Sequence, residues 1–65
     1  MENLSELIHY YKDSAYFYQS EIDEFEEENE CEVELSDMHS ELPDYDYIER
    51  EFVGNDYRYI FHKNN

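Results

Sequence analysis

Between Lys12 and Arg50 the chain contains no lysine or arginine, and within that interval Glu21, Asp23, Glu24, Glu26, Glu27, Glu28, Glu30, Glu32 and Glu34 place nine acids in fourteen residues. Nineteen acidic side chains against four basic ones give the 65 residues a formal charge of −15. Self-repulsion at that density opposes any compact state. Leu, Ile, Val and Phe total only fourteen, close to the level at which high charge predicts disorder. Eight tyrosines tip the balance toward folding, because each can bury a ring while its hydroxyl stays in water. The expectation is one small acidic domain spanning residues 1–65. A core of this size rarely supplies more than about 3–5 kcal/mol without a staple or partner.

Hydropathy patterning gives the expected elements. Leu4, Ile8, Tyr11, Ala15, Tyr18, Ile22 and Phe25 alternate spacings of four and three, which predicts one long helix from Leu4 to Glu28. Asn3 and Glu6 stand at capping-box spacing at its start, and fraying is expected after Phe25. Its C-terminal end carries Glu24, Glu26, Glu27, Glu28 and Glu30, where the helix dipole favours cations. From Glu30 to Ser36 the period changes to two, with Cys31, Val33 and Leu35 inward, which predicts a strand with an acidic outer face. Residues 37–44, with the only proline, read as a loop.

Val53-Gly54-Asn55-Asp56 predicts a two-residue hairpin turn joining strands 45–53 and 56–62. The register then pairs Phe52 with Tyr57, Glu51 with Arg58, Arg50 with Tyr59 and Ile48 with Phe61, making Ile48, Phe52, Tyr57, Tyr59 and Phe61 a floor for the helix. A short helix over residues 44–53 is the competing reading. The fold expected is α+β: one long N-terminal helix on a small antiparallel sheet, in the order α-β-β-β, with a mobile tail from His62 to Asn65.

Several chemistries are disfavoured. Cys31 is a single thiol between Glu30 and Glu32, so neither a disulfide framework nor an activated nucleophile is expected, and it reads as a small buried hydrophobe. His9, His39 and His62 lack zinc-ligand spacing and read as surface or half-buried residues. The acids lack the loop pattern of a calcium site. With one glycine, no phosphate loop and no nucleophile motif, the chain offers little material for an active-site cleft, and neither enzyme activity nor a cofactor is expected. The segment MENLSELIHYY lacks the basic and apolar regions of a signal peptide, and no apolar run is long enough to span a bilayer, so the reading is cytoplasmic, without membrane contact. Asn3-Leu4-Ser5 matches a glycosylation sequon, which carries no weight there.

The acidic run is the functional signal. On a strand, Glu30, Glu32 and Glu34 would repeat every roughly 6.7 Å, about two axial phosphate steps of a DNA strand. A second acidic patch is expected at Asp37, Glu41, Asp44, Asp46 and Glu49, with Tyr45 beside it; Tyr10, Tyr16 and Tyr45 are candidate interface anchors. The expected function is inhibition by nucleic-acid mimicry. The partner is a basic nucleic-acid-binding protein such as a CRISPR effector, restriction enzyme or repair enzyme, and nucleic acid itself is not bound. In size and charge the chain resembles phage-encoded DNA mimics that disarm host defence, a resemblance of physical type in which anti-CRISPR proteins are favoured. The alternatives are an acidic adaptor, antitoxin or regulator binding a basic protein without mimicry, and a homodimer paired through the Leu4–Phe25 stripe.

Overall fold

The computed structural model describes residues 3–64. A 3₁₀ turn at Leu4–Leu7 leads into strands β1 (His9–Tyr11) and β2 (Ser14–Tyr18), helix α1 (Gln19–Asn29), helix α2 (Leu35–Ser40) and strands β3 (Tyr45–Val53) and β4 (Asp56–Lys63). The strands form one antiparallel sheet in the order β1-β2-β4-β3. Antiparallel pairing places directly opposed side chains on the same face, so Ala15 and Phe17 of β2 share a face with Phe61 and Tyr59 of β4. That face carries the core: Ile8, Ala15, Phe17, Ile22, Met38, Leu42 and Phe61, with Val33, Tyr45 and Tyr59 partly buried against it. The fold is α+β, with helices on one face of an antiparallel sheet.

The long N-terminal helix is replaced by a hairpin and a shorter helix. Residues 9–18 are rich in aromatics, which favour the pleated surface over a helix. Ala15 and Phe17 are buried between half-buried Ser14, Tyr16 and Tyr18, a period of two. Lys12 and Asp13 form the intervening turn, Lys12 at φ 54°. Of the expected stripe, Ile8, Ala15, Ile22 and Phe25 are buried inside the chain's own core while Tyr11 is 63% exposed, so no helical dimer seam exists. The Glu6 carboxylate accepts the Asn3 N–H as expected, but it closes a 3₁₀ turn and not a long helix. α1 does not fray after Phe25; it runs on to Asn29.

The strand expected over Glu30–Ser36 is absent. Glu30 reverses the chain in the left-handed region (φ 51°, ψ 48°), and residues 31–34 are irregular. Cys31 is exposed. Of the loop expected over residues 37–44, the first half belongs to α2 and residues 41–44 are turn and irregular chain. Glu34 caps this helix, with its own N–H donating to Asp37 Oδ2 at 2.9 Å, and Met38 and Leu42 face the core at helical spacing.

The C-terminal hairpin has the expected turn, with Gly54 at φ 54° and Asn55 at φ 68°, both left-handed as a type I′ turn requires. Val53↔Asp56, Phe52↔Tyr57, Glu51↔Arg58 and Arg50↔Tyr59 pair as expected. A bulge at Ile48 then shifts the register, so Phe61 opposes Tyr47 instead of Ile48. The apolar floor is correspondingly smaller: Phe61 is buried and Tyr59 half-buried, but Phe52 (65%), Ile48 and Tyr57 are exposed because no helix reaches them. His62 and Lys63 belong to β4, and the Lys63 N–H donates to the Asp13 carbonyl at 2.7 Å; of the expected mobile tail, Asn65 lies outside the described residues.

Candidate polyanion-like interface

Twelve of the nineteen acids lie between residues 19 and 44, the segment that forms the helical layer, and no lysine or arginine lies among them. The remainder of the chain holds seven acids and four bases, a net of −3. The molecule is thus polar in charge: the helix-bearing side is densely anionic and the sheet nearly balanced. Ten of the twelve acids are exposed, with only Glu21 and Glu26 half-buried.

α1 is positioned by the sheet. Its own N-cap residue, Tyr18, makes no side-chain cap hydrogen bond. Instead Asp56, at the end of the β3–β4 turn, accepts the Ser20 N–H at Oδ1 (3.1 Å) and the Ser20 hydroxyl at Oδ2 (2.6 Å). A carboxylate at a helix N-terminus satisfies free N–H groups and complements the dipole. The Ser20 hydroxyl, with the Ser20 and Tyr57 N–H groups, holds the Asp56 carboxyl below its ordinary value against a smaller opposing effect of burial. The other end of α1 has no such support. Glu30 closes it in the left-handed region, its N–H and that of Cys31 both donating to the Glu26 carbonyl.

The expected contact residues divide by what they do. Glu21 takes a hydrogen bond from His9 Nε2 at 2.9 Å, Asp23 accepts the Gln19 side-chain amide, and Glu26 accepts the Val33 N–H at 2.7 Å, tying α1 to the following segment. Glu34 and Asp37 form the α2 cap. The carboxylates of Glu24, Glu27, Glu30, Glu32, Glu41 and Asp44 are exposed and engage no other described residue. Glu28 stands one helical turn from Glu24 on α1. At about 1.5 Å per residue, the Glu24–Glu28 and Asp23–Glu27 steps advance about 6 Å along the helix, near two axial phosphate steps of a DNA strand. The row expected from Glu30, Glu32 and Glu34 does not form, since these residues span a reversal, an irregular segment and a cap.

The Asp44–Tyr45–Asp46 patch is split by strand alternation. Tyr45 packs against the core, its ring 6.1 Å from Tyr10, while Asp46 opposes His62 on the other sheet face and accepts the Asn64 amide. Tyr16 also lies on that open face, half-buried, stacked on His9 at 5.2 Å with the Arg58 guanidinium 5.7 Å away. The Glu51 carboxylate, and to a lesser degree Tyr18, raise Arg58 above the usual guanidinium value. Of the three candidate anchors only Tyr10 is exposed.

One concavity interrupts the anionic layer. Leu7 and Phe25 form the apolar part of an open groove of about 170 Å³, bordered by Glu21, Glu24 and Glu28. Sequence reasoning missed it because Leu7 sits on the 3₁₀ turn, not on the same helix as Phe25. Among the described residues no three His, Cys, Asp or Glu side chains converge as metal ligands, and no helix is long and apolar enough to cross a membrane. Searches of protein-family models, curated proteins and solved structures found nothing that matches this chain.

Proposed function

We propose that the protein is a polyanion mimic: an inhibitor whose helical layer occupies the basic nucleic-acid-binding surface of a target protein. The observation that carries this reading is the segregation of twelve acids, without a cation, onto one layer of a fold whose other parts are nearly balanced. Solubility alone would be served by dispersed charge of much smaller magnitude. Concentrated charge steers a basic partner and raises its on-rate. The groove lined by Leu7, Phe25, Glu21, Glu24 and Glu28 suits a lysine or arginine of such a partner, apolar surface taking the stem and carboxylates the head. A CRISPR effector is favoured because its nucleic-acid channels are wide and basic; restriction and repair enzymes share the same chemistry. A cytoplasmic site of action in the host fits such targets.

The test is competition. The tagged protein should retain a basic nucleic-acid-binding protein from host lysate, and a short duplex or the target's own guide or substrate should displace it. Glu24→Lys, Glu27→Lys and Glu32→Lys together should abolish capture, whereas Glu6→Lys with Asp13→Lys should leave it nearly intact. A bound target that still holds its nucleic acid, or equal loss from both sets, would point to an adaptor or to nonspecific attraction.

A further inference from the structure

Among the described residues eight large apolar side chains are exposed, and five of them, Tyr47, Ile48, Phe52, Val53 and Tyr57, lie on the β3–β4 hairpin. β3 is nine residues long and stands at the sheet edge, so its outer backbone row pairs with no strand. From β3, Tyr45 packs on the core and Tyr47 meets Phe61, whereas the distal half, from Glu49 to Val53, adds nothing to the core and is paired on one side only, by β4. Beyond the bulge at Ile48, an edge whose outer backbone row is unpaired, with Phe52 and Val53 exposed on it, is a template for further pairing. Phe52 contacts Tyr57 at 5.2 Å between ring centroids, and the Arg50 guanidinium lies 4.6 Å from the Tyr57 ring, making an aromatic and cationic patch of the composition that dominates interface energetics.

Charge selects the occupant. Residues 47–60 hold three acids and two arginines, a net of −1, and one of those acids, Glu51, is bound by Arg58 at 3.0 Å. A basic partner has little to complement here. A second copy meets at this surface far less repulsion than at the helical layer, where twelve acids lie without a lysine or arginine. We propose that the β3 edge is a self-association surface, where two copies pair antiparallel about a two-fold axis to join their four-stranded sheets into one of eight strands. Association also adds the staple that a core this small needs. This surface is separate from the anionic layer, and the proposal stands whether or not that layer mimics a nucleic acid.

Sedimentation equilibrium across concentration and salt tests it. A dimer should form, and its affinity should rise at least about tenfold between about 0.05 M and about 0.5 M salt as screening relieves repulsion. Capture of a basic partner would respond to salt with the opposite sign. Phe52→Asp, and separately Val53→Lys, should give folded monomers at concentrations where the parent is dimeric, with circular dichroism confirming the fold. Hydrogen exchange should show β3 amides that slow as the parent's concentration rises and do not slow in Phe52→Asp. Three results would overturn the proposal: a monomer at about 1 mM in high salt, a dimer indifferent to both substitutions, or a dimer whose β3 amides gain no protection.

Discussion

Glu30 offers a direct measure of what the anionic layer costs the fold. It sits at φ 51° and ψ 48°, a region that glycine enters freely and other L-residues enter at about 1–2 kcal/mol. Glycine returns part of this through its larger loss of backbone freedom, about 0.5–1 kcal/mol, leaving a conformational gain of about 0.5–1 kcal/mol for Glu30→Gly. Glu30 also places a negative charge at the C-terminal end of α1, whose last turn holds no basic residue. Removing a charge from the unfavourable end of a helix dipole is worth about 0.3–1 kcal/mol at low salt. Together these predict that Glu30→Gly stabilises the protein by about 1–2 kcal/mol, each kcal/mol raising the midpoint by about 4–8 °C at this chain length.

Thermal unfolding of the parent, Glu30→Gln and Glu30→Gly, each at low and high salt, separates the two contributions. Glu30→Gln should capture only the electrostatic part, which shrinks as salt screens it. Glu30→Gly should keep its conformational part at every salt concentration. The parent should itself grow more stable from low to moderate salt. A Glu30→Gly variant no more stable than Glu30→Gln would refute the reasoning, because the left-handed backbone would then carry no penalty for the glutamate to meet.

Two further outcomes are expected. Ser20→Ala removes the first cause of Asp56's lowered pKa, so the variant should be less stable at neutral pH; because a depressed carboxyl stabilises only where it is ionised, the gap from the parent should begin to close as pH falls below the ordinary value of 3.8 and vanish below Asp56's own value in the folded protein. Paired unfolding curves from pH 7 to acid check this, and a pH-independent gap would exclude the linkage. Phe61→Ala should cost about 3–5 kcal/mol, comparable with all that a core this small supplies, since Phe61 is fully buried against Phe17, His39 and Tyr47; the isolated variant should show no cooperative urea transition.

What the sequence disclosed depended on whether a signal was local. Gly54 and Asn55 can adopt left-handed geometry cheaply, so their turn announced itself and carried four residue pairs of register with it. The Lys12–Asp13 turn uses a residue with no such preference, and Ala15, Tyr18 and Ile22 satisfy the helical period as well as Ala15 and Phe17 satisfy the strand period, so the β1–β2 hairpin was hidden. α2 was concealed by its shortness and by a cap made from Glu34 and Asp37 instead of serine or threonine, although Leu35, Met38 and Leu42 keep helical spacing. The bulge at Ile48 has no sequence mark, and it turned an expected core residue outward. Acid density was legible at once. Its form was not, because the spatial order of the carboxylates depends on where α1 stops and α2 begins.

The division of labour within the fold bears on why the charge is there. Ala15, Phe17 and Phe61 are fully buried in the sheet, and the helical layer adds Ile22, Met38 and Leu42 to the same core, so the anionic side is fixed to its support by apolar contact. Asp56 reaches from the sheet to the N-terminus of α1, the end where a carboxylate stabilises. At the opposite end Glu27, Glu28 and Glu30 accumulate where each carboxylate opposes the dipole, the last of them in a conformation suited to glycine. A sequence shaped for stability would reverse that end, and one shaped for solubility would spread the acids over both sides of the molecule. Persistent local cost, gathered on one layer and carried by an otherwise consistent fold, is what a surface selected for contact with a cationic partner would show.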